Sequence, residues 1–330
     1  MRSFRCLPWF LFAHSLHAAS IEALPIKDAV PYSAAEDGKI VVGGMYPNAF
    51  IWNLTDGIAN PGHLQIPQSG PNNTTEAVGV SSDGRMVIGN STAYGQTTQF
   101  TRAFVWTKKR GMRPLGGSKN TESHAWSISA NGKLVVGTIS SDRGQQAAVW
   151  RNGKLAKRFR FGTVGTVVSA DGHWVAGFDG NAGDGGLFRW SKKTGVQDLD
   201  FSDGAFNYPQ AMSDDGDAIV GQGSDSTPFR WTLESGIQSL GILREDDTGY
   251  ATSVNADGSV VVGALSPTGA FIWTQKNGLR ELKATLESDF SLDLTGWHLS
   301  GARWISSDGT IIIGHGILNG TARTWVVRLT

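Results

Sequence analysis

Short β-branched runs recur along the chain at a fixed place relative to a turn. "KIVV", "KLVV", "SVVV" and "TIII" each follow an Asp-Gly or Asn-Gly pair and run into a second glycine. Runs of this length and composition read as buried strands. Aligned on the dipeptide, the chain gives seven copies, at Asp37-Gly38, Asp83-Gly84, Asn131-Gly132, Asp171-Gly172, Asp215-Gly216, Asp257-Gly258 and Asp308-Gly309. The second glycine follows five residues after the first in every copy, at Gly43, Gly89, Gly137, Gly177, Gly221, Gly263 and Gly314. After a spacer of variable length each copy reaches another apolar strand centred on tryptophan, at Trp52, Trp106, Trp150, Trp190, Trp231, Trp273 and Trp325. A glycine turn and a last short strand follow in six of the seven, as at Gly111 and Leu115.

Each unit therefore predicts four short strands, with the dipeptide as a two-residue hairpin whose central positions need positive φ. Units of roughly 40 to 50 residues with four antiparallel strands are propeller blades. The expected fold is all-β, a seven-bladed β-propeller of four-stranded antiparallel blades, closed so that no sheet edge is left inside the ring. The last copy stops at "ARTWVVRLT" without a fourth strand, and "IEALPI" (Ile21 to Ile26) precedes the first copy, so this segment is expected to complete the last blade. An insert, "LRELKATLESDFSLDLTGW", carries Leu279, Leu282 and Leu286 at helical spacing and predicts a short helix near the C-terminal closure. One tryptophan per copy at one place reads as packing between blades rather than as ligand platforms.

Composition narrows the partners. The 330 residues carry 29 basic and 29 acidic side chains, so no long-range positive field gathers a polyanion, and nucleic acid is not expected. Residues 1–20, "MRSFRCLPWFLFAHSLHAAS", run from arginines through an apolar stretch to small residues, the order of a secretory signal peptide. Export to the periplasm or beyond is expected, with residues 21–330 as one domain. No stretch reaches the roughly 20 apolar residues that a membrane-crossing helix needs. The lone cysteine, Cys6, lies inside the signal, which excludes disulfides and thiol chemistry from the mature chain.

The "AFIW" and "AFVW" segments and the pattern A-x-x-[VI]-S-x-D-G-x-x-V-V-G resemble the bacterial extracellular HAF repeat, named for a His-Ala-Phe tripeptide; some of its members resemble autotransporter passengers. The resemblance covers nearly all of the mature chain and implies export and a propeller-like fold. It brings no catalytic residues. Asn48, Arg102 and Gly269 stand where the naming histidine would precede the Ala-Phe pairs.

No zinc motif, phosphate loop or nucleophile elbow is present. The acidic stretch "DGNAGDGG" (Asp179 to Gly186) has Trp190 where a calcium loop needs a bidentate Glu, so no metal and no cofactor are expected. The variable spacers all open on one rim of the propeller, among them Asn60 to Glu76, Ser91 to Arg102 and Gly241 to Tyr250, and loops on a rigid scaffold are where binding resides. Six residues before the Asp or Asn the copies are small, as at Ala77 and Ala125, while the flanking positions vary freely. Those positions open the innermost strands. A ring of Glu76, His124, Trp126, Tyr208, Tyr250 and Arg303 at the channel mouth is the candidate ligand site. The leading reading is a monomeric, non-enzymatic binding propeller for a protein or glycan. The alternatives are a polysaccharide hydrolase or lyase working at that mouth, and a purely structural surface domain.

Overall fold

The computed structural model describes residues 18–66, 72–95, 99–117, 121–141, 144–161, 163–180, 186–199 and 207–329. The signal-peptide reading therefore lies almost wholly outside the described residues. Seven four-stranded antiparallel sheets form seven blades. Their innermost strands, Val30–Ala34, Thr74–Val80, Ser123–Ile128, Thr163–Val168, Tyr208–Met212, Thr248–Val254 and Trp297–Ile305, each touch the next, and the last touches the first, which closes the ring. The strand Ser20–Lys27 pairs antiparallel with Thr321–Arg328 and is the outer strand of blade seven. The single helix among the described residues, Leu282–Phe290, buries Leu282 and Leu286 completely against blades six and seven.

The Asp-Gly turns are not two-residue hairpins. In blade two Ser81 N–H donates to Met86 O at 2.9 Å and Gly84 N–H to Ser81 O at 2.8 Å, a tight turn inside a four-residue loop. Only the glycine of the pair has positive φ, +70° at Gly84. The aspartate serves another purpose: its Oδ1 accepts from Ser81 Oγ at 2.7 Å and from Arg85 N–H at 3.0 Å. Ser81 Oγ in turn accepts from Met86 N–H at 3.1 Å. The same serine, fully buried, recurs as Ser129, Ser169, Ser213 and Ser306, with Asn255 in its place in blade six. The serine is buried beneath an otherwise exposed turn, and its hydroxyl supplies the acceptor for the N–H at the start of the next strand.

The second glycine is set by close approach. None of the seven has positive φ, but an added Cβ would overlap a carbonyl oxygen of the innermost strand in every blade: Val30, Glu76, His124, Val164, Tyr208, Tyr250 and Gly301 in turn. A fully buried Phe stands opposite this glycine in five blades, as in the pairs Gly43 with Phe50 and Gly89 with Phe104. Each such ring, removed from water, stabilises the fold by about 1.5–3 kcal/mol. Trp325 belongs to this set. It pairs with Gly314, whereas the other six tryptophans pair two residues away, with Val41, Val87, Val135, Val175, Ile219 and Val261. Those six pack against the preceding blade, as Trp231 does on Val167 and Leu187.

Candidate functional site

Every innermost strand carries a β-bulge at one place. The register skips Tyr32, Val78, Trp126, Thr166, Gln210, Thr252 and Arg303, so each is an extra residue opposite none. A bulge re-aims a side chain and is characteristic of sites. Six of the seven, all but Thr166, line a cavity of about 200 Å³ along the central channel. At its other end lies a belt of hydrogen bonds between the tight turns of neighbouring blades. Glu36 N–H donates to Ser82 O at 3.1 Å, Ser82 N–H to Ala130 O at 3.0 Å and Ala130 N–H to Ala170 O at 3.0 Å. Asp214 and Ala256 continue it, and it closes on a side chain, with Ser307 N–H donating to Glu36 Oε1 at 2.6 Å. Burial raises the pKa of the Glu36 and Asp214 carboxyl groups from their ordinary values.

On the mouth side a second cavity, of about 510 Å³, opens over blades one to three, and Tyr32 and Trp126 line both. Its walls carry Tyr46, Tyr94 and Trp126, which are 88%, 38% and 44% exposed, around Glu76, Asn48 and Asn90. The positions are held from below. Asn90, buried, spans the blade junction, accepting from Ala125 N–H at 2.8 Å and donating to Ala125 O at 3.1 Å, and its Nδ2 also donates to Glu76 Oε1 at 3.2 Å. Trp126 Nε1 donates to Thr138 Oγ1 at 3.3 Å, and the His124 ring lies parallel to the indole at 6.0 Å. Burial lowers the His124 pKa, against the pull of Glu122 and Glu76.

Glu76, His124 and Trp126 thus share one cleft, and Trp126 and Arg303 share the channel. Tyr250 sits under Arg303, its ring centre 5.7 Å from the guanidinium carbon. Tyr208 is apart: it stands edge-on to Phe178 at 5.0 Å and lines neither cavity. The supposed loop from Ser91 to Arg102 is largely paired strand, with Ser91 opposite Arg102 and Tyr94 opposite Gln99. Tyr32, Tyr46, Tyr94, Asn90 and His315 escaped the sequence reading. Tyr32 was within reach, because it holds in the first copy the place that Trp126 and Arg303 hold in theirs. His315 follows the invariant Gly314 directly. Tyr46 and Tyr94 lie at the rim ends of second strands, where no repeat marks them. Among the described residues no group of three metal-ligating side chains converges.

No family model matches the chain, and no curated protein matches it. Solved structures do. An oligogalacturonate lyase from Vibrio parahaemolyticus superimposes with a TM-score of 0.59 over 95% of this chain and 98% of its own, at 10% sequence identity. The likeness is one of fold.

Proposed function

We propose that this propeller is an exported binding protein whose ligand is a glycan, held in the cleft over blades one to three. The observation that carries the reading is the cleft's make-up: three solvent-facing aromatic rings surround fixed polar groups, with Glu76 tied to Asn90. Sugar rings present apolar faces to aromatics and hydroxyls to carboxylates and amides, so this combination suits them. Against a flat protein partner, the site is concave and about 510 Å³, the size of a few sugar units rather than of a standard interface. An array of neutral and acidic glycans tests it. Binding should be specific and should fall at least about tenfold in Trp126→Ala and in Tyr46→Ala, which delete one stacking face each. Retention of full binding in both variants removes the cleft from consideration.

Export is the accompanying proposal. Cleavage after Ala19 leaves the strand Ser20–Lys27 whole, since pairing starts with Ser20 opposite Arg328. N-terminal sequencing of the chain recovered from outside the cytoplasm should begin between Ala19 and Ile21, and an intact Met1 there rejects the signal. Kinship with HAF-repeat proteins is proposed on the repeat pattern; a solved HAF-repeat structure without the glycine-opposite-phenylalanine pairing would count against it.

A further inference from the structure

Charge is divided across the channel mouth. Glu76 and His124 stand on the side of blades two and three, and Arg303 stands on blade seven. Tyr32, on blade one, lies between them and feels both the Glu76 carboxylate and the Arg303 guanidinium. Among the described residues no carboxylate lies within ion-pair distance of Arg303. Its Nε is buried with no hydrogen-bond partner, and so is Nδ1 of the neighbouring His315. The arginines between other blades are engaged: Arg230 Nε donates to Gly258 O at 2.9 Å and Arg189 Nε to Gln197 Oε1 at 2.9 Å. Each of those also covers a tryptophan face. Arg303 likewise covers an aromatic face, that of Tyr250, but its Nε has no acceptor.

An arginine cannot shed its charge to escape this position, and its planar fork matches a carboxylate in two parallel hydrogen bonds. Among the described residues Arg303 is also the only arginine or lysine that lines either the channel or the cleft. One fixed positive charge suits a monoanion. A phosphate dianion would be left half neutralised beside Glu76, Asp28, Glu36 and Asp214, which line the same two cavities. For the same reason a run of acidic sugars would be repelled from the cleft itself.

We propose that the ligand is an oligosaccharide with a single acidic sugar, whose carboxylate pairs with Arg303 in the channel while its neutral units stack in the cleft. Tyr32 and Trp126, common to both cavities, carry the chain from one to the other. The proposal rests on the glycan reading. The test uses full-length mature protein, the neutral oligosaccharides that bind on the array, and their counterparts in which one terminal hexose is oxidised at C6 to the hexuronic acid. Calorimetry should show the mono-acid bound roughly tenfold more tightly than its neutral parent. A fully oxidised oligouronide of equal length should bind less tightly than the mono-acid. Arg303→Gln should abolish the acid preference and spare neutral binding, whereas Trp126→Ala should weaken both members of a pair alike; unchanged melting temperatures show that the variants fold. Equal affinity for acid and neutral forms, or an acid preference that survives Arg303→Gln, overturns the carboxylate site and leaves the glycan reading standing. Absence of binding to every form overturns both.

Discussion

A Cβ added at Gly137 would run into the carbonyl oxygen of His124, and the strand below cannot move without shifting the bulge that presents Trp126. Gly137→Ala should therefore cost about 2–3 kcal/mol, as overpacking does, in urea denaturation. Gly44→Ala is the control. Its added methyl would meet Tyr32 at 3.5 Å, an ordinary contact, and the change should stay within about 0.5 kcal/mol. The fixed interval between the two glycines was plain in the sequence. Its cause was not, because the carbonyl that crowds the second glycine belongs to the paired strand, and strand register leaves no mark in a single repeat. His315 makes a second residue-scale prediction. Burial first, and Arg303 second, lower its pKa from 6.5 to about 4. A base whose folded pKa is depressed stabilises the fold in its neutral form; that contribution is complete above 6.5 and is lost as pH falls from 6.5 to about 4. His315→Gln should flatten stability across this window, and melting curves at stepped pH check it. An unchanged slope there would mean that His315 is protonated in the native state.

Strands and turns show where pattern reading succeeds and where it stops. Alternation and glycine spacing revealed four strands per unit, because a buried strand and its turn both leave compositional traces. They could not tell a two-residue hairpin from a four-residue loop. The same Asp-Gly pair serves both, and the four-residue loop forms even in blade one, where Ala35 stands in the serine's place and its N–H still donates to Ile40 O at 2.9 Å. Nor could they align Trp325, since tryptophan fills the place of phenylalanine in blade seven and an aromatic is an aromatic in a hydrophobic pattern. The strand Ser20–Lys27 ties the two ends of the chain together. Leu24 and Ile26, each 1% exposed, pack with Trp52 of blade one and with Ile313 and Val326 of blade seven. Leu24→Ala and Ile26→Ala should each cost about 2–5 kcal/mol, the range for a core cavity. Because the seam between first and last blades opens with them, equilibrium unfolding of the double variant should lose its single cooperative step. Two variants as stable as the wild type would show that the ring holds without its clasp.

At the scale of the whole molecule, seven similar wedges make a symmetric frame, and the site is where the symmetry is broken. Tyr32, Trp126, Gln210 and Arg303 occupy one equivalent position in different blades. Repetition makes such a frame legible from sequence, since each copy confirms the last. A site built from the differences between copies is legible only in part. The set Glu76, His124, Trp126, Tyr250 and Arg303 could be picked out as variable positions near the mouth, but which of them face each other depends on the order of blades around the ring. Tyr208 has the same sequence credentials and packs on Phe178 instead. The cleft itself needed Tyr46 and Tyr94, which only the ends of the second strands bring to the rim. The most direct measurement is a crystal structure of the mature protein with the glycan that binds most tightly on the array. The sugar chain should lie across Trp126 between Tyr46 and Tyr94, with Glu76 bonded to its hydroxyls. A glycan seated instead on the tight-turn face or on the outer strands would contradict the account.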